Sequence, residues 1–321
     1  MRKTLLFSVS SVTLWQNSRV PDIRRIALYF VAVLGLGALL APWLYWGGTW
    51  LGGAMPSLEF LQRVTFQRYF NRAMLVAAIA LLWPLAKSLH VRSWSDLGLS
   101  PNPAWRRDVG LGFALACGLL FALGAVLLVA GLYDWRQGLK WTDLPNAAVS
   151  AAAVSILEES LFRGALLGVV LRTAGAWPAQ NFVAALFAIV HFLKPPENTT
   201  PLLASLGSIH WLSGFELLPK VFWQFSDPWL LLGGFLTLFV VGLTLGLITR
   251  ATHSLWSAIG LHAGWVFGLK TFSALTAPTR AHLLPWVGQN LLIGLGPLVT
   301  VALTAAILFW FRPRETPTPR A

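Results

Sequence analysis

VGLGFALACGLLFALGAVLLVAGL, residues 109–132, runs without a single charged side chain. As an α-helix it would reach about 36 Å, and a hydrocarbon core is roughly 30 Å thick, crossed by about 20 apolar residues. The stretch therefore reads as a membrane-spanning helix. Similar runs lie on either side, at 26–46, 72–90, 147–171, 178–193, 229–249, 253–270 and 287–311. The fifth and seventh of the eight are short, so tilted, loop-extended or partly re-entrant forms stay open for them. The fold expected is all-α, a polytopic transmembrane helix bundle of about eight spans filling residues 26–311.

Composition agrees. Of 321 residues, 56% are hydrophobic and 11% charged, whereas a soluble domain carries about a quarter charged. The net charge of +12 does not indicate nucleic acid, because the basic residues flank apolar runs, as at Arg24–Arg25, Arg106–Arg107 and Arg312–Arg314. That placement follows the positive-inside rule, and tryptophans at run ends (Trp43, Trp46, Trp50, Trp135, Trp141, Trp229, Trp286) suit the headgroup level. Both termini are then expected in the cytoplasm, although Arg63, Arg68 and Arg72 argue against this at one loop. Cys117 is the only cysteine, which excludes an intrachain disulfide and a cysteine metal site.

Residues 1–25 read as a retained cytoplasmic or interfacial segment, since the apolar stretch of MRKTLLFSVSSVTLW is broken by serines. PSLEFLQRVTFQRYFNR, residues 56–72, reads as an amphipathic interfacial helix. KPPENTTP, 194–201, is a helix stop, and 312–321 is a basic, proline-rich tail expected to be disordered. No internal repeat and no soluble second domain are apparent.

Ionisable residues inside the spans are concentrated: Glu158, Glu159 and Arg163 in the fourth, His191 in the fifth, His262 in the seventh. One charge at mid-bilayer costs on the order of 3 kcal/mol even on the lenient scale, so three in six residues require partners and point to function. The bland alternative is a structural ion-pair cluster or, for each histidine, an interhelical hydrogen bond. Glu159 and Arg163 are four apart, acid first, the favoured order for a helical pair. Glu158 is turned by about 100° from Glu159 and is free to face another cavity. With a turn at about 172–178, Glu158 and His191 both lie roughly 20 Å from it, so a hairpin brings them level. His262 can reach a similar depth. His90, His210, His253 and His282 lie at span ends or in loops and receive no catalytic role.

The motifs in these segments resemble those of the CPBP family of intramembrane proteases, the CAAX prenyl protease and bacteriocin-processing (Abi) group. EESLFRG, 158–164, resembles its EExxxR motif, FAIVH, 187–191, its FxxxH motif, and LHAGWVF, 261–267, its HxxxN or HxxxD motif; TRATHSLW, 249–256, is also similar to that family. The resemblance covers a catalytic core at 147–270 and implies a helical bundle enclosing a cavity open to water. Glu158 would activate the attacking water, with His191 helping to hold or deprotonate it, and His262 would help stabilise the oxyanion. Glu159 and Arg163 would organise the site. The chemistry is coherent, because a carboxylate walled by apolar groups is suited to general-base work. Phe187, one turn before His191, can supply part of that wall.

The chain departs from the family at Val266, which can neither donate nor accept where the motif has Asn or Asp. Loss of such a contact is worth roughly 3 kcal/mol; Trp265 or Asn290 could replace it. No cofactor is favoured. If zinc is used, Glu158, His191 and His262 are the ligands, although the HExxH spacing is absent. The leading function is an endopeptidase acting on a membrane-associated, CAAX-like prenylated or other protein or peptide. A proton-coupled transporter and a non-catalytic membrane partner, such as an immunity protein, are the alternatives.

Overall fold

The computed structural model of the chain describes residues 23–89, 99, 102–138, 142–195, 209–279 and 284–310. The readings of the segment before residue 23, of most of KPPENTTP, of the C-terminal tail, of His90 and of His282 fall outside these residues. In chain order the elements are α1 Ile23–Ala54, a 3₁₀ segment Pro56–Arg63, α2 Phe66–Ser88, α3 Trp105–Val129, β1 Tyr133–Trp135 and α4 Asp143–Glu159. A π-helical segment Ser160–Leu166 joins α4 to α5 Leu167–Ala174, followed by α6 Ala176–Phe192 and α7 Ser213–Leu217. After a 3₁₀ segment Leu218–Ser226 come α8 Pro228–Leu230, a second π segment Leu231–Phe235, α9 Leu236–Thr252, α10 Trp256–Leu275, β2 Thr276–Pro278 and α11 Leu295–Trp310.

Among the described residues, four helical stretches are long and apolar enough to cross a membrane: Arg24–Ala54, Phe66–Ser88, Trp105–Val129 and Pro228–Thr252. The chain is a helical membrane protein on this ground, but the expected count of about eight spans is not confirmed. α6 and α11 are apolar but have 17 and 16 residues. The last run starts at Leu295 instead of 287, because Gly288 and Gly294 hold turns and Gly294 has φ +131°.

The chain divides into two compact units. The smaller holds 19–91 and 189–228. Within it α1 and α2 run antiparallel: Arg25 donates to the Ser88 carbonyl, and Tyr29 Oη donates to the Ala78 carbonyl at 2.9 Å. Ala38, Ala41, Phe66, Phe70, Ala73, Leu217 and Val221 form its core. The stretch expected as one interfacial helix is split. Its first half is an exposed 3₁₀ turn with a Glu59–Arg63 pair, and its second half begins α2 with Phe66, Tyr69 and Phe70 buried. The apolar spacing at 66, 69, 70 and 73 is that of a core-facing helix.

The larger unit takes 92–188 and the chain from Trp229 onward, and α10 runs through its interior, packed on α3 and α4. A Cβ at Gly260 or Gly264 would collide with the Val109 or Phe113 carbonyl of α3. Small residues of this kind let membrane helices approach backbone to backbone. His262, two residues from each glycine, is turned by about 200° from that face and points away from α3. Likewise Gly242 of α9 lies against Ala184 of α6, and Gln180 Nε2 donates to the Leu243 carbonyl at 3.0 Å. Near the other end of α10, β1 pairs antiparallel with β2, Tyr133 opposite Pro278. This pair was not expected; three residues are too few to show a strand period. Tyr133 packs its ring on Phe272 at 5.0 Å and donates to the Gly288 carbonyl at 2.6 Å, within a cluster of Leu120, Leu127, Val287 and Leu291.

Candidate active site

Glu158 and Glu159 end α4, and Arg163 lies in the π segment that follows. Such turns, one residue wider than α, recur at functional sites. Glu159 and Arg163 are fully buried. Arg163 Nη1 donates to Glu159 Oε1 at 2.8 Å, and Nη2 donates to the Gly242 carbonyl at 3.3 Å. The guanidinium lies 4.5 Å from the Phe187 ring centre and 5.8 Å from that of Phe162. Two charges taken out of water are held only with good geometry and further hydrogen bonds; here a carbonyl and two ring faces contribute, while Arg163 Nε and Glu159 Oε2 are buried without a hydrogen-bond partner among the described residues.

His262 is also buried, and its Nδ1 lies 2.7 Å from Glu159 Oε1, the oxygen that Arg163 already engages. A carboxylate paired with a guanidinium accepts and does not donate, so this partner assigns the proton to Nδ1. Nε2 is then the nitrogen left for chemistry, and it faces Glu158 Oε2 at 3.9 Å. Phe187 meets the imidazole edge-on at 5.9 Å, and Phe162 meets Phe187 at 5.2 Å. The two adjacent acids differ sharply: the Glu158 side chain is 28% exposed and that of Glu159 0%. One acid fixes the imidazole and the arginine; the other is partly exposed, while its Oε2, the oxygen that faces His262, is buried. A carboxylate and an imidazole at this spacing can both hydrogen-bond one water molecule.

The cluster thus brings together Glu158, Glu159, Arg163, Phe187 and His262. His191 lies in the last turn of α6, half-buried, four residues beyond Phe187, and belongs to the smaller unit. Val266, one turn after His262, is half-buried, while Trp265 is buried. Asn290 Oδ1 accepts from the Leu292 amide at 2.9 Å and caps a turn. His253 closes α9 in the left-handed conformation, and His210 pairs with Glu216 at 3.3 Å in the smaller unit. Sequence reading missed Phe162 and Gly242. A carbonyl acceptor 79 residues from Arg163 has no signature in a side-chain pattern. As to zinc, Glu158 and His262 converge, but among the described residues no three His, Cys, Asp or Glu side chains form a ligand set.

A membrane-embedded helical protein with a buried acid–histidine–arginine site is the class that fold and cluster define. Residues 140–268 match the family described as type II CAAX prenyl endopeptidase Rce1-like, a segment that contains all three motifs. The chain carries this Rce1-like segment, consistent with a CPBP-family protease, and the family indicates CAAX-type proteolysis. No curated protein and no solved structure matches the chain.

Proposed function

We propose that the protein is an intramembrane endopeptidase that hydrolyses a peptide bond in a membrane-associated protein or peptide, with CAAX-like prenylated chains as one candidate class. The observation that carries this reading is the unequal pair of acids. Glu159 is sealed and spends one oxygen on both Arg163 and His262, while Glu158 stays partly exposed beside His262 Nε2.

In this mechanism Glu158 takes a proton from water as the water oxygen attacks the scissile carbonyl carbon. His191 helps hold that water, an assignment supported by the FxxxH resemblance and by its place one turn after Phe187. The carbonyl electron pair moves onto oxygen, and His262 donates to this oxyanion from Nε2. Because Nδ1 is committed to Glu159, that role uses the doubly protonated ring. Collapse breaks the C–N bond, and Glu158 returns the proton to the leaving amine. Glu159 and Arg163 hold His262 and the wall formed by Phe187. The active face opens to water on a chain whose termini both lie in the cytoplasm.

The test is incubation of purified full-length protein with a library of internally quenched peptides, prenylated and unprenylated, beside Glu158→Gln. Cleavage by the wild type and none by the variant is expected. No cleavage by either favours a non-catalytic membrane partner. The mechanism uses no metal, so 1,10-phenanthroline leaves the rate unchanged; loss restored only by Zn²⁺ overturns that part.

A further inference from the structure

In the hydrolysis proposed above the oxyanion has one donor, His262, because Val266 offers none. Trp265 lies beside it on α10, is 7% exposed, and its indole Nε1 is buried without a hydrogen-bond partner among the described residues. An indole N–H only donates, and a buried tryptophan ordinarily finds an acceptor for it. Two other polar atoms of α10, Ser257 Oγ and Thr271 Oγ1, are also unpartnered, but a hydroxyl can turn back to the carbonyl one helical turn earlier. An indole cannot, so the acceptor must come from outside the helix.

Helix geometry gives the acceptor's place. Trp265 is displaced about 60° to one side of His262 and Val266 about 40° to the other, and residues three or four apart are surface neighbours on a helix. Of the more exposed residues of this stretch, Val266, Phe267 and Lys270 fall on the Val266 side, while the half-buried Leu269 lies about 20° to the other, between His262 and Trp265. Trp265 therefore holds the enclosed flank of His262, where a donor to a desolvated oxygen acts most strongly. We propose that the Trp265 indole N–H donates to the scissile carbonyl oxygen as it becomes an oxyanion, acting beside His262 in place of the donor that position 266 lacks. The inference rests on the endopeptidase reading.

Wild type, Glu158→Gln, Trp265→Phe and the double variant Trp265→Phe/Val266→Asn are assayed as purified full-length proteins on the library peptide that the wild type cleaves fastest. Phenylalanine keeps an apolar ring and removes the donor. Trp265→Phe is expected to lower kcat about a hundredfold, as for one lost oxyanion donor, with KM and melting temperature near those of the wild type. A contact made only in the transition state divides the effect in this way. In the double variant the introduced asparagine supplies a donor from the other flank, and about tenfold of kcat is expected to return. Wild-type kcat in Trp265→Phe, or a loss confined to KM or to melting temperature with no recovery in the double variant, overturns the proposal. If the wild type cleaves, Glu158→Gln does not, and Trp265→Phe equals the wild type, the indole's role alone falls. If the wild type cleaves nothing, the endopeptidase reading falls and the indole's role with it.

Discussion

The two halves of α10 are fixed in opposite ways. Toward its start, Gly260 and Gly264 lay the helix on α3, and the opposite face carries His262 into a sealed carboxylate–guanidinium pair. Toward its end, Phe272 is gripped by Tyr133, Leu120, Leu127, Val287 and Leu291, with one hydroxyl-to-carbonyl bond to the turn at Gly288. The first half stores geometry in charges, none of which can be removed singly without stranding another. The second stores it in ring volume, which fails gradually. A polar core of the first kind is a poor way to gain stability but a good way to aim two carboxylates differently.

The largest effect expected is on chemistry alone. Glu158→Gln, at the end of α4 and outside the sealed pair but facing His262 of the first half, should reduce turnover to no more than a few per cent in the peptide assay, with melting temperature near wild type, because the side chain is partly exposed and nearly isosteric. Retained turnover would move the general base elsewhere. Next, Arg163→Ala strands Glu159 in a low-dielectric interior, and breaking such a pair costs about 3–5 kcal/mol. Folded yield from detergent extracts should fall, and Glu159→Gln should fall with it. If both fold normally and lose only turnover, the pair belongs to the chemistry and the contrast between the halves is misdrawn. Phe272→Ala in the second half should cost about 3 kcal/mol through the cavity it leaves, lowering the melting temperature while turnover per folded molecule holds.

The smallest effect separates the second half by pH. Burial pushes the Tyr133 hydroxyl from 10.0 up to about 12. Unfolded, the phenol ionises from about pH 10, whereas folded it stays neutral until about pH 12, so its stabilisation is whole below the lower value and drains away between the two. Tyr133→Phe should cost about 1 kcal/mol at neutral pH for the lost hydrogen bond and should flatten the alkaline fall in melting temperature. An unchanged alkaline slope would assign that fall to other groups.

Much of this architecture was legible from residue order. The uncharged run at 109–132 marks α3 because nothing in it can be satisfied outside a membrane or a core. Glu159 and Arg163 announce a pair by spacing, and Glu158 announces a separate direction by its 100° offset. What spacing could not express is convergence across distant segments. One oxygen of Glu159 serves both Arg163 and His262, the latter 103 residues away, and the second acceptor for Arg163 is the backbone of Gly242. The late start of α11 was hidden because residues 287–294 are mostly apolar, and hydropathy does not reveal a chain held in turns by Gly288 and Gly294. The β1–β2 pair was hidden by its brevity. His191 remains carried by its motif, on a helix whose last turn groups with the smaller unit.

The π segment at Ser160–Leu166 has a consequence best put in genetic terms. A π turn holds one residue more than an α turn over a similar rise, so it can take in or lose a residue while the helix on either side keeps nearly the same phase. Deleting the codon for Leu161 would let the helix regularise with Glu158 and Glu159 still directed as before, and would leave Glu159 and Arg163 three apart instead of four, a spacing at which helical residues are still neighbours. The same deletion in a regular α turn has no such slack and would rotate everything before it by about 100° against everything after it. Selection can therefore alter the length of the message at this one place while every acid, histidine and arginine of the site keeps its direction.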